Sequence, residues 1–206
     1  IGDKILFSEF DYCLNLGGFS NISFEENNQR IAFDISPVNT VLNFYANTFG
    51  LEYDDKGEIS ASGNLNSELL HELNQLEFYS KSFPKSLGFE FVKETVLPIL
   101  ESYSISTEDK MRTFTEHIAF QIGKILKSKS GKLLVSGGGV YNDFLIDRMK
   151  ANLPTIEIII PDEKTIKFKE ALIFALLGVL KLRNEINVLA SVTGAKQDHS
   201  SGEIYE

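Results

Sequence analysis

Cysteine is nearly absent from the sequence: Cys13 stands alone among 206 residues. One thiol excludes an internal disulfide and any zinc site built on cysteine pairs. It suits a reducing compartment, so a cytoplasmic location is expected. Basic residues are scarce too, 20 Lys and Arg against 29 Asp and Glu, for a formal net charge of −9. That balance disfavours a broad nucleic-acid or anionic-membrane surface, although a local basic site is compatible with it. Long hydrophobic runs are missing. The longest, Ala171 to Leu180, is about ten residues, half of what a bilayer span needs, and no signal-peptide pattern occurs. No nucleic-acid or membrane partner is therefore expected. The three histidines, His71, His117 and His199, lack metal-ligand spacing; helix surface, helix surface and tail are expected for them. Neither internal repeats nor low-complexity segments occur.

What is present is apolar content of 43%, ample for a core. The chain begins Ile-Gly-Asp with no Met and is in strand-like sequence by Asp11, so a piece of a longer polypeptide is expected. Its organising stretch is Lys132 to Met149, KLLVSGGGVYNDFLIDRM. Leu133, Leu134 and Val135 suit a buried strand, and Gly137, Gly138 and Gly139 follow at once. Asn142 then caps an amphipathic helix that presents Phe144, Leu145 and Met149. Glycine lets a backbone or ligand approach closely, and N–H groups at a strand-to-helix turn seat phosphate. A turn that binds nothing is the competing reading. The spacing matches neither GxGxxG nor GxxxxGK[ST].

Upstream, Asp11–Leu16, Phe19–Phe24 and Arg30–Ile35 read as three strands with short links, an antiparallel meander. Val38–Phe49 has helical spacing with Gly50 as its C′ residue. Tyr53–Gly63 reads as an ordered loop, Ser67–Leu76 as a short helix, and Ser80–Gly88 as irregular. Phe91–Tyr103 is helical despite Pro98, which should kink it. Ser106 opens a weak capping box, STED, for a helix over Thr107–Lys127. Its stripe of Met111, Phe114, Ile118, Ile122 and Ile125 is structural. Thr155–Ile160 is a β-branched strand, and Thr165–Arg183 a last helix, expected to be buried on most of its surface against the sheet or against another domain. Asn187–Tyr205 reads as loop. This order predicts an α/β fold: a mixed sheet of three antiparallel strands followed by parallel βα units, helices on both faces. It resembles one half of the actin, sugar kinase and heat-shock ATPase superfamily, a ribonuclease H-like domain.

Asp34 is the first candidate for chemistry. It ends a strand of Ile31, Ala32, Phe33 and Ile35, at the place where ligands of such sheets gather. It could act as a general base or hold the Pro37–Asn39 turn as an N-cap-like carboxylate. Glu170 precedes the apolar stretch of the last helix; cleft residue, surface charge and ion pair with Lys167 or Arg183 all fit. Asp54 and Asp55 suit a cation or plain solvation, and Lys85 with Ser86 suits phosphate or a bland loop. Ser136 is no nucleophile elbow, since GxSxG is absent.

Seven segments in order, NLGGFSNIS (15–23), FDISPVN (33–39), the YD…G…A..G pattern (53–63), PKSLGFE (84–90), VSGGGVYN (135–142), Glu170-Ala171 with Phe174-Ala175, and SVTGA (191–195), resemble the anhydro-N-acetylmuramic acid kinase family. There they read NIGGISNIT, FDTGPGN, the same spaced pattern, PKSTGRE, VCGGGARN, EAMAFA and SVTGA. The resemblance covers almost the whole chain. It implies one actin-like C-terminal domain over 1–206, with a mainly helical insert at about 51–105, whose N-terminal partner domain and DGTSxDG phosphate loop lie outside the sequence. It further implies ATP and Mg2+ as cofactors and an anhydro-amino-sugar as substrate, opened by water and phosphorylated on O6 in cell-wall recycling. Asp34 falls on the family's base, Glu170 and Asn39 on sugar contacts, and Gly137, Gly138 and Gly139 on the nucleotide side. A homodimer is the implied assembly. Two segments depart. FDISPVN has Ile35, Ser36 and Val38 where the family has Thr, Gly and Gly, and PKSLGFE has Leu87 and Phe89 where it has Thr and Arg. A rival expectation is a non-catalytic actin-like scaffold.

Overall fold

The computed structural model describes residues 1–205. A short helix, α1 (Gly2–Leu6), precedes β1 (Tyr12–Leu16), β2 (Phe19–Glu26) and β3 (Gln29–Pro37). Helix α2 (Asn39–Ala46) ends in a 3₁₀ turn closed by Gly50 at φ 76°, the C′ role expected of it. The stretch 51–105, the expected insert, carries α3 (Glu58–Ser62) and α4 (Ser67–Asn74). It then runs through α5 (Phe89–Phe91) and a π-helical turn, Val92–Val96, into α6 (Leu97–Ser102). The wide turn lies directly before Pro98, which lacks the N–H that an ordinary α-turn would donate to the Glu94 carbonyl. Helix α7 (Thr107–Leu126) leads to β4 (Gly131–Ser136), α8 (Asp143–Asn152), β5 (Ile156–Ile159), α9 (Glu163–Leu182) and α10 (Ala190–Thr193).

The sheet order is β3-β2-β1-β4-β5, antiparallel through β1–β3 and parallel from β1 to β4 to β5. This is the predicted mixed sheet. Its front face presents Leu14, Leu16, Ile22, Phe24, Phe33, Leu133 and Val135 to a core shared with α2, α7 and α8. The α7 stripe of Met111, Phe114, Ile118 and Ile122 is wholly buried there, each side chain contributing roughly 1.5–3 kcal/mol. The back face is polar and is crossed by α9. Lys169 donates to Ser136 Oγ (3.3 Å) and pairs with Asp3 (2.9 Å), which accepts from Ser23 (2.5 Å). Burial pushes the Asp3 carboxyl up, but Lys169 and Ser23 outweigh it and leave it below its ordinary value. Burial pushes the neighbouring Cys13 thiol up to about 11, so it stays protonated and inert at neutral pH.

Three expectations need correction, and a fourth is narrowed. Tyr53–Gly63 is not a loop, because Asp54 accepts from Ile59 N, Ser60 N and Ser60 Oγ and caps α3; buried in that role, Asp54 is neither solvated nor a cation ligand. His117 is not on a helix surface, because the insert covers it completely. The tail is not all loop, since it bridges Val188 to His199 and forms α10. Finally, α9 buries only Lys169 and Leu180. The sheet takes one narrow stripe of the helix, leaving Phe168, Leu172, Val179 and Leu182 exposed. Among the described residues no helix is long and apolar enough to cross a membrane.

Candidate active site

Each of four neighbouring strands carries one polar residue at the same end of the back face, and register brings them into line. Asp34 of β3 pairs with Asn21 of β2, Asn21 with Asn15 of β1, and Asn15 with Ser136 of β4. The row lies at the carboxyl ends of β1, β3 and β4, where open sheets of this kind gather ligands. A β-bulge sits beside Asp34: Asn21 opposes Asp34 while Ser20 opposes Ser36, leaving Ile35 as the extra residue. Ile35 and Ser36 are thus both buried, and Ser36 Oγ meets Ser20 Oγ at 3.0 Å. A bulge of this kind re-aims its neighbour.

Asp34 is gripped from outside the sheet. Its N–H donates to Lys85 O (3.1 Å), and its Oδ2 accepts from Leu87 N (2.7 Å). The other oxygen, Oδ1, takes no hydrogen bond among the described residues. The N-cap-like reading is overturned, because Val38 is the N-cap of α2 and no side chain caps that helix. Asp34 lines a cavity of about 420 Å³ with Asn21, Pro84, Ser86, Val192 and Thr193. Asn21 also lines a second cavity of about 280 Å³, with Asn15, Ser136, Gly137, Lys169 and Glu170. Lys167 joins that one to a third, about 490 Å³, which holds Asn39, Gly138, Gly139, Tyr53 and Asn142. Asp34, Glu170 and the glycine turn therefore lie along one groove, in three adjoining compartments rather than one.

The glycines divide their work. At Gly137, with φ 86°, a Cβ would stand 2.7 Å from Leu16 O; at Gly139 it would stand 2.7 Å from Leu16 Cβ. Both are needed for the turn to close on the end of β1. At Gly138 a Cβ would meet only Asn39 Nδ2, at 3.9 Å. That position opens into the largest cavity and leaves room for close approach of a phosphate or ribose.

The family model for anhydro-N-acetylmuramic acid kinase matches residues 5–206. The chain belongs to that family. It is 34% identical over 212 residues to the Haemophilus influenzae anhydro-N-acetylmuramic acid kinase, covering 93% of this chain and 56% of that one. For the Crocosphaera subtropica enzyme the figures are 32%, 97% and 61%. The chain thus spans little more than half the length of these relatives. Among solved structures it is similar to an activator of 2-hydroxyisocaproyl-CoA dehydratase from Clostridium difficile with bound ADPNP. The TM-score is 0.50 at 17% identity, covering 83% of this chain and 60% of that one. Component A of the Acidaminococcus fermentans (R)-2-hydroxyglutaryl-CoA dehydratase gives 0.50 at 15%, covering 83% and 62%. These two likenesses show the fold, a mixed sheet flanked by helices.

Within this kinase-family chain, Glu170 is exposed and pairs with neither suggested partner. Lys167 takes Glu163 at 2.6 Å and Arg183 takes Glu185 at 2.5 Å. Asn39 sits at the first turn of α2, its Nδ2 3.5 Å from Leu16 O. Asn142 caps α8 through Leu145 N (2.8 Å) as expected. Lys85 Nζ donates to Phe78 O (3.2 Å) and lies 4.6 Å from the Phe78 ring centroid. Burial, then the Lys124 charge, lowers its pKa. Asn15, Asn21, Ser136, Lys169 and Thr193 were not among the expected site residues. The available signal was a polar residue toward the same end of each of the four strands. Among the described residues no group of three or more His, Cys, Asp or Glu is gathered to hold a metal.

Proposed function

We propose that this chain is the C-terminal, catalytic-base-bearing half of an ATP-dependent kinase that converts 1,6-anhydro-N-acetylmuramic acid and water to N-acetylmuramic acid 6-phosphate in cell-wall recycling. The observation that carries the reading is the cross-strand row Asp34–Asn21–Asn15–Ser136, which runs into the glycine turn. With Oδ2 held by Leu87, Oδ1 of Asp34 takes a proton from the attacking water. The water oxygen bonds to the anomeric carbon, the bond from that carbon to the bridging oxygen breaks, and the freed O6 is the phosphoryl acceptor. Asn21, Asn39 and Glu170 orient the sugar, while the backbone around Gly137, Gly138 and Gly139 receives the nucleotide. ATP supplies the transferable phosphoryl group. The chain's part is positioning rather than covalent chemistry. Mg2+ held with ATP would neutralise charge on the phosphates.

An N-terminal domain with the second phosphate loop completes the cleft, and a cytoplasmic homodimer is the proposed assembly. The test supplies the protein carrying this chain, at the length of its relatives, with Mg-ATP and the anhydro-sugar. Mass spectrometry should find the 6-phosphate, and Asp34→Asn should slow its formation about 10²- to 10⁴-fold while leaving the fold intact. A second reading, a non-catalytic actin-like module, draws on the uncovered apolar face of α9. It is favoured if the same protein binds neither ATP nor sugar by calorimetry.

A further inference from the structure

Asp34 lies on the edge strand of the sheet, where the segment Pro84–Leu87 meets it. That segment reaches β3 through the two hydrogen bonds already described, backbone Asp34 N to Lys85 O and Leu87 N to the Asp34 side-chain Oδ2. It belongs to no helix or strand of its own. What fixes it is the Lys85 side chain. The half-buried ammonium donates to Phe78 O (3.2 Å) and lies 4.6 Å from the Phe78 ring and 5.9 Å from the Phe33 ring. Phe33 is the residue before Asp34, and it stacks on Phe83 at 5.4 Å.

Phe78 is itself anchored through its neighbour Tyr79. Tyr79 O accepts from Lys124 Nζ (3.1 Å), and its hydroxyl meets His117 Nε2 (2.9 Å). On the ring's other side, Asn74 Oδ1 accepts from Gln121 Nε2 (2.8 Å) and lies 2.7 Å from His117 Nδ1. An acceptor there requires the proton on Nδ1, so Nε2 accepts from the Tyr79 hydroxyl. The chain of contacts runs from the rigid helix α7 through Phe78 and Tyr79 to Lys85, and from Lys85 to the two bonds on Asp34.

We propose that Lys85 is a positioning residue for Asp34. It acts by locking the 84–87 segment, so that Leu87 holds Oδ2 and leaves Oδ1 toward the cavity. The claim about turnover rests on the function proposed above; the claim about geometry does not. A carboxylate displaced by as little as an ångström can lose roughly 100-fold in rate.

Hydrogen exchange of the full chain and kinetics of the protein carrying it decide the matter together. In Lys85→Met the Leu87 amide should lose its protection, and kcat should fall about 10- to 100-fold with KM for Mg-ATP within about twofold. Lys85→Arg, which keeps the donor, should restore both. Lys124→Met, which loosens the Tyr79 end of the same chain of contacts, should lower Leu87 protection by less than Lys85→Met does. In an Asp34→Asn background, Lys85→Met should slow turnover no further, because residues acting as one unit are not additive. If the methionine variant does not fold, Lys85→Gln gives the same comparison. A Leu87 amide still protected without Lys85, or losses that multiply with those of Asp34→Asn, would overturn the proposal. Full turnover in Asp34→Asn alone would instead remove the functional reading, and the exchange result would still decide the geometry.

Discussion

The two faces of the sheet obey opposite rules. In front, Leu14, Leu16, Ile22, Phe24, Phe33, Leu133 and Val135 meet the apolar stripe of α7. Behind, the same strands turn Asn15, Asn21, Ser23, Asp34 and Ser136 toward α1, α9 and the groove. Alternation along each strand does the sorting. The front face supplies the burial that makes the domain stable. The back face gives up that contribution in exchange for aligned polar groups, each costly to bury unless paired. Stability and chemistry are thus separable by substitution, one face at a time.

The largest break should come from the back face. Asp34→Asn should cost about 10²- to 10⁴-fold in turnover yet move the denaturation midpoint by little, as urea melts beside a coupled ADP assay will tell. Phe114→Ala on the front should do the converse. Removing a ring that is wholly buried should cost about 3–5 kcal/mol in urea unfolding, with the pattern of ligand contacts unchanged in what remains folded.

A third effect comes from His117, buried under the insert. Burial pushes its imidazole down to about 3, from 6.5. The folded state holds it neutral, so between those values the unfolded chain binds the extra proton. Stability is therefore full above about pH 6.5 and falls as the pH drops toward 3, by at most about 1.4 kcal/mol per pH unit. Thermal melts between pH 7 and 5 should show that slope, and His117→Asn should flatten it. The smallest effect is at the turn. Gly137→Ala should destabilise by about 1–2 kcal/mol, since its φ of 86° and the Leu16 carbonyl both oppose a side chain. Gly138→Ala should leave stability within about 0.5 kcal/mol and weaken nucleotide binding in calorimetry, sharpening the contrast between the structural and open glycines.

Much of this was legible in the sequence. Periodicity over Thr107–Lys127, the β-branched and apolar runs, and the Gly137–Gly139 turn each announce an element, because the residues that decide them are local. His117 was not, because its burial is imposed by Asn74 and Tyr79 from another part of the chain. The reverse holds for α9, whose apolar sequence suggested burial that this chain does not provide. The row at Asp34 falls between these cases. The polar residues are visible in the strands, but their alignment depends on β1 pairing with β4, more than a hundred residues away, and no local pattern encodes that register. The grip of Leu87 on Asp34 is of the same kind, a contact across 53 residues.

The shared register has a consequence for how the site is lost. Sliding one strand by a single residue would exchange its faces, turning Asn21 into the core and Ile22 into the groove. Core and site therefore melt together. Any protein that keeps its hydrophobic packing keeps Asp34, Asn21, Asn15 and Ser136 in line, and only the outer clamp at Leu87 can open without unfolding the domain.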